Sequence, residues 1–305
     1  MIKDIRKDIR YDIKKNRGLV IMSIIGIIWV ILFKYFPMWG TLTAFKRYNL
    51  YKGFWASEWV GFKYFQQFFT DIYFTRLMRN TFLLGLYNII WGFPIPIIFA
   101  LLLNEVKDGP FKRISQTISY LPHFISTVVI VALMMQLLSS DGVINKLFEF
   151  LGMQKINFFM EPKFFRTLYI SSGIWQSVGW NSIIYLASIA GIDPQLYDAA
   201  NIDGANGLHK IIHITLPGIS NTIVVLLILN IGSFLSIGFE KVYLMQNPAI
   251  YETSDIISTY VYRRGIIEAN FGYATAIGLL NSVVSFILLV ISNSLSKKCF
   301  DKGLY

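Results

Sequence analysis

Six apolar segments, each long enough to cross a lipid bilayer as a helix, constrain what this chain can fold into. They lie at residues 19–36, 80–104, 117–138, 167–190, 212–236 and 272–294. A hydrocarbon core of about 30 Å takes about 20 helical residues to cross, and a helix satisfies its own backbone groups inside lipid. Apolar residues make up 54% of the 305 residues, too many for a soluble protein. The sequence therefore predicts an all-α integral membrane protein with six transmembrane helices.

The distribution of lysine and arginine predicts which helix ends face the cytoplasm. The side that holds both termini carries 14 of these residues in 61 positions, and the opposite side carries 13 in 105 positions. Cytoplasmic loops are enriched in Lys and Arg. We therefore expect a multi-pass protein of the cell membrane with both termini in the cytoplasm.

The charge pattern also divides the chain. The net charge of +10 is spread among the loops, which favours contact with the lipid bilayer and argues against nucleic acid. Residues 1–18 place their isoleucines on one helical face and predict a cytoplasmic amphipathic segment. We expect the first transmembrane helix and its outer loop at 19–79, the transmembrane core at 80–294 and a cytoplasmic tail at 295–305.

The loop at residues 191–217, between the fourth and fifth predicted spans, carries strong local signals. Asp193 is suited to cap a helix and Pro194 to occupy its first position. Gly204 can take the left-handed backbone angles that end this helix, and Asn206 can cap a second helix that continues into the membrane. The pattern predicts a helix, a turn and a membrane helix.

Small and acidic side chains come together in this loop, as is typical of an interface. Small residues let a partner approach closely, and carboxylates accept hydrogen bonds from Arg or Lys. The candidate docking residues are Asp198, Ala199, Ala200, Asp203, Gly204, Ala205 and Leu208.

The sequence YDAANIDGA at residues 197–205, followed by ITLP at 214–217, resembles the EAA loop of bacterial ABC importer permeases. The Glu that usually begins this loop is Asp198 here, which keeps the charge on a shorter side chain. The resemblance is to oligosaccharide permeases of the LplB and YtcP type and covers roughly residues 15–298. It also includes the motifs NT at 80–81, PIP at 94–96, LLLNE at 101–105 and YLPHFIS at 120–126.

The resemblance implies a type I (MetI-like) ABC importer permease fold in a bacterial plasma membrane. The loop 191–217 would be the coupling segment that docks into a cleft of a separate ATPase. The implied partners are a second permease of the same fold, two ATP-binding subunits, an extracytoplasmic solute-binding lipoprotein and an oligosaccharide. ATP and Mg²⁺ would bind to the ATPase, and this chain would need no cofactor.

Polar and aromatic side chains inside the predicted spans are candidates for a sugar pathway. A polar residue in a bilayer needs a partner or water, and sugars are bound by amides, hydroxyls and aromatic faces. Hydrogen bonding between helices explains isolated polar residues equally well. The candidates are Asn88, Trp175, Gln176, Asn181, Tyr185, Asn230 and Ser233, with Trp180 and Asn281 as further members.

Three further features concern the ends and shape of the spans. Arg76 and Arg79 would attract an acidic, uronate-containing oligosaccharide, or would anchor their helix at lipid headgroups. Pro94 and Pro96 predict a disturbed turn in the second span, either a fixed bend or a hinge. Glu240 is expected to form an interfacial ion pair beside Lys241.

Sequence motifs for catalysis are missing. The chain has no phosphate-binding loop, no H-E-x-x-H and no G-x-S-x-G, so we predict a transport subunit without catalytic or metal-binding residues. His209 and His213 lack an acidic third ligand, and the single Cys299 cannot form an internal disulfide. Two other classes stay open: an ion-coupled secondary transporter, which usually needs acids in its spans, and a membrane-embedded enzyme acting on polysaccharide or lipid.

Overall fold

A computed structural model describes residues 15–300, with side chains to residue 298. The isoleucines predicted to form an amphipathic face, the side chain of Cys299 and the tail beyond residue 300 lie outside the described residues. The α-helices are α1 (Arg17–Val30), α2 (Gly53–Ala56), α3 (Lys63–Phe69), α4 (Phe74–Tyr87), α5 (Pro94–Glu105), α6 (Pro110–Tyr120), α7 (Thr127–Leu137), α8 (Val143–Phe150), α9 (Pro162–Ala190), α10 (Pro194–Ile202), α11 (Gly207–Lys210), α12 (Leu216–Gly232), α13 (Phe239–Met245), α14 (Tyr251–Ser254), α15 (Ile257–Tyr262) and α16 (Phe271–Phe300).

Shorter elements join these helices. Strands β1 (Lys46–Arg47) and β2 (Glu58–Trp59) pair antiparallel, with Lys46 opposite Trp59, so the chain has one small departure from an all-helical fold. The π-helical turns are Ile31–Tyr35, Asn88–Gly92, Ile211–Thr215 and Arg263–Ile267. The 3₁₀ segments are Phe36–Phe45, Leu121–Phe124 and Pro248–Ile250.

Four helices in the described part of the chain are long and apolar enough to cross a membrane. They are Arg17–Phe45, Phe74–Glu105, Gly207–Gly232 and Phe271–Lys298, and they match the first, second, fifth and sixth predicted spans. The fourth predicted span lies in α9, which has 29 residues but is more polar because it carries Gln176, Asn181 and several serines.

The prediction of the third span, 117–138, is wrong as a single straight helix. Helices α6 and α7 meet at an angle of 101°. Pro122 has no N–H to donate, and the Ser126 hydroxyl accepts a hydrogen bond from the Val129 N–H at 3.4 Å and so caps a new helix. The amide of Gln176 donates to the Ile125 carbonyl oxygen at 3.2 Å, which satisfies a backbone acceptor freed by the break.

The second span absorbs its two prolines without interruption. Phe74–Glu105 is one helix of 32 residues, and Asn88–Gly92 forms a π-helical turn immediately before Phe93 and Pro94. A widened turn accommodates the missing donor of a proline, so the predicted disturbance is confirmed at this position.

The buried core forms three clusters along the bundle. One surrounds Val242 and Met245 in α13, and a second surrounds Tyr260 and Tyr273 where α15 meets α16. The third joins α5, α9 and α12 through Ile97, Ala100, Tyr185, Ile189 and Ile219, with Ile192 packed against it. This third cluster lies next to the predicted docking segment and joins it to the transmembrane helices.

A buried carboxylate joins the second span to the chain near α14 and α15. The side chain of Asp255 is completely buried and accepts hydrogen bonds from Arg76 at 2.6 Å and from Arg263 at 3.0 Å. Asn80 donates to the backbone carbonyls of Glu252 and Asp255, both at 3.0 Å. The bonds made by Arg76 and Asn80 join α4 to residues more than 170 positions later in the sequence. The bond made by Arg263 joins residues eight positions apart.

Helix α9 crosses α6 at very short range. A Cβ added to Gly179 would lie 2.2 Å from the carbonyl oxygen of Ser119, a distance that real side chains do not adopt. Glycine is required here because only it lets the two backbones approach.

We expect Gly179→Ala to lower the free energy of unfolding by about 1–3 kcal/mol because the added methyl group forces the helices apart. Gly278→Ala is the matched control, since a Cβ at Gly278 would meet no atom within 4 Å. The measurement is the thermal denaturation midpoint of the purified complex. Equal shifts for the two variants would show that the crossing tolerates a side chain.

Candidate functional site

The predicted docking segment folds as expected. Helix α10 covers Pro194–Ile202, and the Asp193 carboxylate caps it by accepting the Gln195 N–H at 2.9 Å. Gly204 has φ of +73°, in the left-handed region where glycine is favoured. Asn206 caps α11 by accepting the His209 N–H at 2.9 Å. The result is a helix, a turn and a second helix that runs on into α12.

This segment presents apolar side chains to solvent beside its acidic ones. Ile202 is 87% exposed, Leu208 65% and Leu196 52%. Asp198 and Asp203 are exposed as well, and within residues 15–298 no ion pair is formed by either carboxylate. Sequence reasoning predicted Leu208 and missed Leu196 and Ile202; their position on a short amphipathic helix in a polar loop was the available signal.

Hydrogen bonds attach the docking segment to the fifth span. The hydroxyl groups of Tyr197 and Thr215 are 2.9 Å apart, and Thr215 is buried. The Lys210 ammonium donates to the side-chain oxygen of Asn201 at 3.0 Å. Helix α10 is therefore bonded at two places to the helical run Gly207–Gly232, which contains α11 and α12.

Close packing joins the same segment to the second and fifth spans. Ile192 occupies the space beside Gly218, where a Cβ would lie 2.6 Å from its side chain. A Cβ at Gly207 would lie 3.2 Å from the Glu105 carboxylate at the end of α5. The segment is therefore packed against the ends of two transmembrane helices.

Five of the predicted pathway residues line two adjoining cavities, which together we call the polar cavity. Asn181 and Tyr185 line the first, of about 250 Å³. Asn88 lines the second, of about 140 Å³, and Asn230 and Ser233 line both. The amide of Asn88 donates to the side-chain oxygen of Asn230 at 3.4 Å. The lining combines these amides and hydroxyls with apolar side chains such as Phe93, Leu226 and Phe234, and it includes no Asp or Glu.

The other predicted pathway residues lie elsewhere. Gln176 bonds to the break between α6 and α7, and Trp175 is half exposed outside the polar cavity. Trp180 stacks on His123 with ring centroids 4.4 Å apart. Asn281 faces a separate groove between α15 and α16. Helical periodicity in the sequence could not show which candidates line the polar cavity, because α9 contacts different neighbouring helices at successive turns.

Two of the charged residues near the span ends have partners within the chain. Arg76 pairs with buried Asp255, and the exposed Arg79 donates to the Glu252 carbonyl at 3.0 Å; their attraction of an acidic sugar stays a prediction. The expected ion pair of Glu240 with Lys241 is wrong. Glu240 is exposed, whereas Lys241 is buried and points away from solvent, since adjacent residues on a helix face different directions.

In the part of the chain that the structure describes, no three His, Cys, Asp or Glu side chains come close enough to hold a metal ion. His209 and His213 stack with ring centroids 5.8 Å apart, and each ring contacts an oxygen of a neighbouring residue in the same segment.

A bundle of membrane helices, a polar cavity between them and a rigid exposed segment at one end define a permease subunit rather than an enzyme. The chain belongs to the family of binding-protein-dependent transport system inner membrane components, whose pattern matches residues 92–300. It is thus an ABC transporter permease subunit of the MetI-like fold, as the EAA resemblance predicted, and ATP is hydrolysed on a separate chain.

Relatives match almost the whole chain. Protein LplB of Bacillus subtilis (strain 168) is 46% identical over 294 residues, covering 96% of this chain and 92% of that protein. The polygalacturonan/rhamnogalacturonan transport system permease protein YteP of the same strain is 46% identical over 304 residues, covering 99% and 95%. A crystal structure of a bacterial alginate ABC transporter, in complex with an alginate pentasaccharide-bound periplasmic protein, matches with a TM-score of 0.89 and 41% identity, covering 96% and 99%.

Proposed function

We propose that this chain is one of two permease subunits of an importer for acidic oligosaccharides. The observation that carries the proposal is that one helix connects the two functional parts. The span Gly207–Gly232 begins at the docking segment and ends at Asn230 in the polar cavity. At 1.5 Å per residue, Thr215 and Asn230 lie about 22 Å apart along this helix.

The docking residues predicted from sequence, together with Leu196 and Ile202, would bind a cleft of the ATPase. ATP and Mg²⁺ would bind to that partner, and closure of two ATPase subunits would move α10 and, through Tyr197 and Thr215, the whole of α12. Such a movement opens the polar cavity only if the docking segment binds the open and closed ATPase with different free energies.

The acidic cargo is supported by the relatives and by the lining of the polar cavity. YteP is named for polygalacturonan and rhamnogalacturonan, and the solved neighbour carries alginate. All three of these polysaccharides contain uronates. The polar cavity offers amide and hydroxyl donors to a sugar and no carboxylate that would repel a uronate. A solute-binding lipoprotein would deliver the sugar to the end of the bundle opposite the docking segment.

The same scheme orients the chain. The docking segment must face the ATPase, which places residues 191–217 and both termini in the cytoplasm and the loop between α12 and α16 outside. This agrees with the denser Lys and Arg on the side of the termini.

The proposed function is tested in proteoliposomes that contain both permeases, the ATPases and the binding protein. Oligogalacturonides, alginate oligosaccharides and neutral malto-oligosaccharides are each loaded on the binding protein, and uptake and ATP hydrolysis are measured. We expect acidic sugars to stimulate both far more strongly than neutral sugars do. Stimulation by neutral sugars alone would overturn the assignment of cargo.

We expect Asn230→Leu to lower uptake of the acidic sugar by about tenfold, the loss that corresponds to about 1.4 kcal/mol for one polar contact to the substrate. The change removes the amide that lines both halves of the polar cavity. Asn221→Leu is the matched control, since Asn221 is exposed on the same helix. Uptake by Asn230→Leu at the parent rate would exclude the polar cavity from the pathway.

A further inference from the structure

Lys241 is a buried cation without a partner. Lys241 is 9% exposed. Its ammonium nitrogen is fully buried and donates no hydrogen bond to any residue between 15 and 298. No carboxylate in that range lies within ion-pair distance. A buried charge normally has a counter-ion or hydrogen-bonding groups around it.

The surroundings of this ammonium are aromatic and apolar. It lies 5.4 Å from the centroid of the Tyr169 ring, and a Cβ at Gly173 would be 3.7 Å from it. The next residue, Val242, belongs to the hydrophobic cluster that includes Met245. Burial lowers the pKa of Lys241 to about 8, because an apolar environment disfavours its charged form.

Tyr169 connects Lys241 to the polar cavity. The same side chain that lies beneath the ammonium also lines the cavity of about 140 Å³, together with Asn88, Asn230 and Gly238. Gly238 directly precedes α13, the helix that carries Lys241. Lys241 is not itself among the lining residues, so Tyr169 is the contact that the ammonium and the polar cavity share.

Packing alone does not explain a lysine at this position. A methionine would fill nearly the same volume without the cost of burying a charge. The cost is offset if an anion enters the cavity and pairs with the ammonium. A uronate carboxylate is such an anion, and the flexible stem of lysine lets the ammonium move toward it.

We propose that Lys241 binds a carboxylate of the acidic oligosaccharide in the polar cavity and thereby selects acidic over neutral sugars. This inference rests on the proposed function, because it names the residue that recognises the cargo class. The ammonium would leave its contact with the Tyr169 ring and move into the cavity when the carboxylate enters.

The test compares Lys241→Met with the intact chain in the reconstituted importer. The probes are an oligogalacturonide and its methyl ester, which lacks the negative charges. We expect Lys241→Met to lower uptake of the acid at least tenfold, to leave uptake of the ester unchanged and to raise the denaturation midpoint of the complex. Lys241→Arg keeps the charge and should retain most of the selectivity.

Lys146→Met is the control, because Lys146 is an exposed lysine in α8 and its replacement should change neither uptake nor stability. Equal loss of both probes with a lower denaturation midpoint would overturn the inference and assign Lys241 to the fold or to a partner subunit. Unchanged acid uptake in Lys241→Met would overturn it while leaving the proposed function intact. If the intact importer takes up only the ester, the proposed function itself fails.

Discussion

Replacing Asp198 with arginine is expected to abolish the stimulation of ATP hydrolysis by sugar-loaded binding protein. Asp198 is exposed on α10 beside the apolar side chains proposed to enter the ATPase cleft. Placing a positive charge against the cationic groups that would meet this carboxylate costs several kcal/mol, which corresponds to a loss of at least about 100-fold in docking. The measurement is ATP hydrolysis by the complete importer, with membrane insertion of the variant checked in parallel.

Asp108→Arg is the matched control for this experiment. Asp108 is exposed, precedes α6 in another loop and pairs only with Lys112, at 2.9 Å. We expect this change to leave stimulation nearly intact, because exposed ion pairs contribute little. Gly204→Trp is a second docking variant: its surroundings are open, so the indole would block a partner, and because its φ of +73° strains any side chain there, the denaturation midpoint of the variant is measured as well. Normal stimulation in both docking variants would show that the segment does not couple the permease to the ATPase.

Replacing Asp255 with alanine should have the largest effect on stability. The change leaves Arg76 and Arg263 without the carboxylate that both contact, in a place where the carboxylate itself is completely buried. Removing one partner of a buried ion pair costs about 3–5 kcal/mol. We expect a sharply lower denaturation midpoint, measured on the complex in detergent by the fraction that stays monodisperse after heating.

Glu268→Ala provides the comparison for Asp255→Ala. Glu268 pairs with Arg264 at 2.6 Å, but its side chain is 42% exposed. An exposed pair of this kind contributes about 0–1 kcal/mol. A similar midpoint for the two variants would mean that the Asp255 cluster does not hold the second span against α15.

In the docking segment, the local sequence is sufficient to predict where the helices begin and end. Caps, prolines and glycines act within a few residues, so Asp193, Gly204 and Asn206 predicted the boundaries of α10 and α11 before any packing was known. The role of Tyr197 was not predictable in this way. Its hydroxyl meets Thr215, 18 residues later, and only the folded chain brings the two together.

The charged residues show the opposite case. Arg76 and Arg79 suggested an acidic cargo, yet both bind groups of the chain between residues 252 and 255. Lys241 was expected to form an interfacial ion pair with Glu240, and it is instead buried beside Tyr169. A charge in the sequence is equally compatible with solvent, a partner or a substrate, because its surroundings come from distant parts of the chain.

The sequence by itself determined that this protein is a helical membrane permease, and it predicted the helix–turn–helix of the loop at 191–217. Hydrophobic segments must be long enough to cross lipid, and helix ends must be capped, so both features are local. Only the tertiary structure decided that the third apolar segment bends by 101°, that five of the polar candidates line the polar cavity, and that Lys241 contacts Tyr169 in its wall. These depend on which faces of α4, α9 and α12 meet, and contacts between distant segments set those faces.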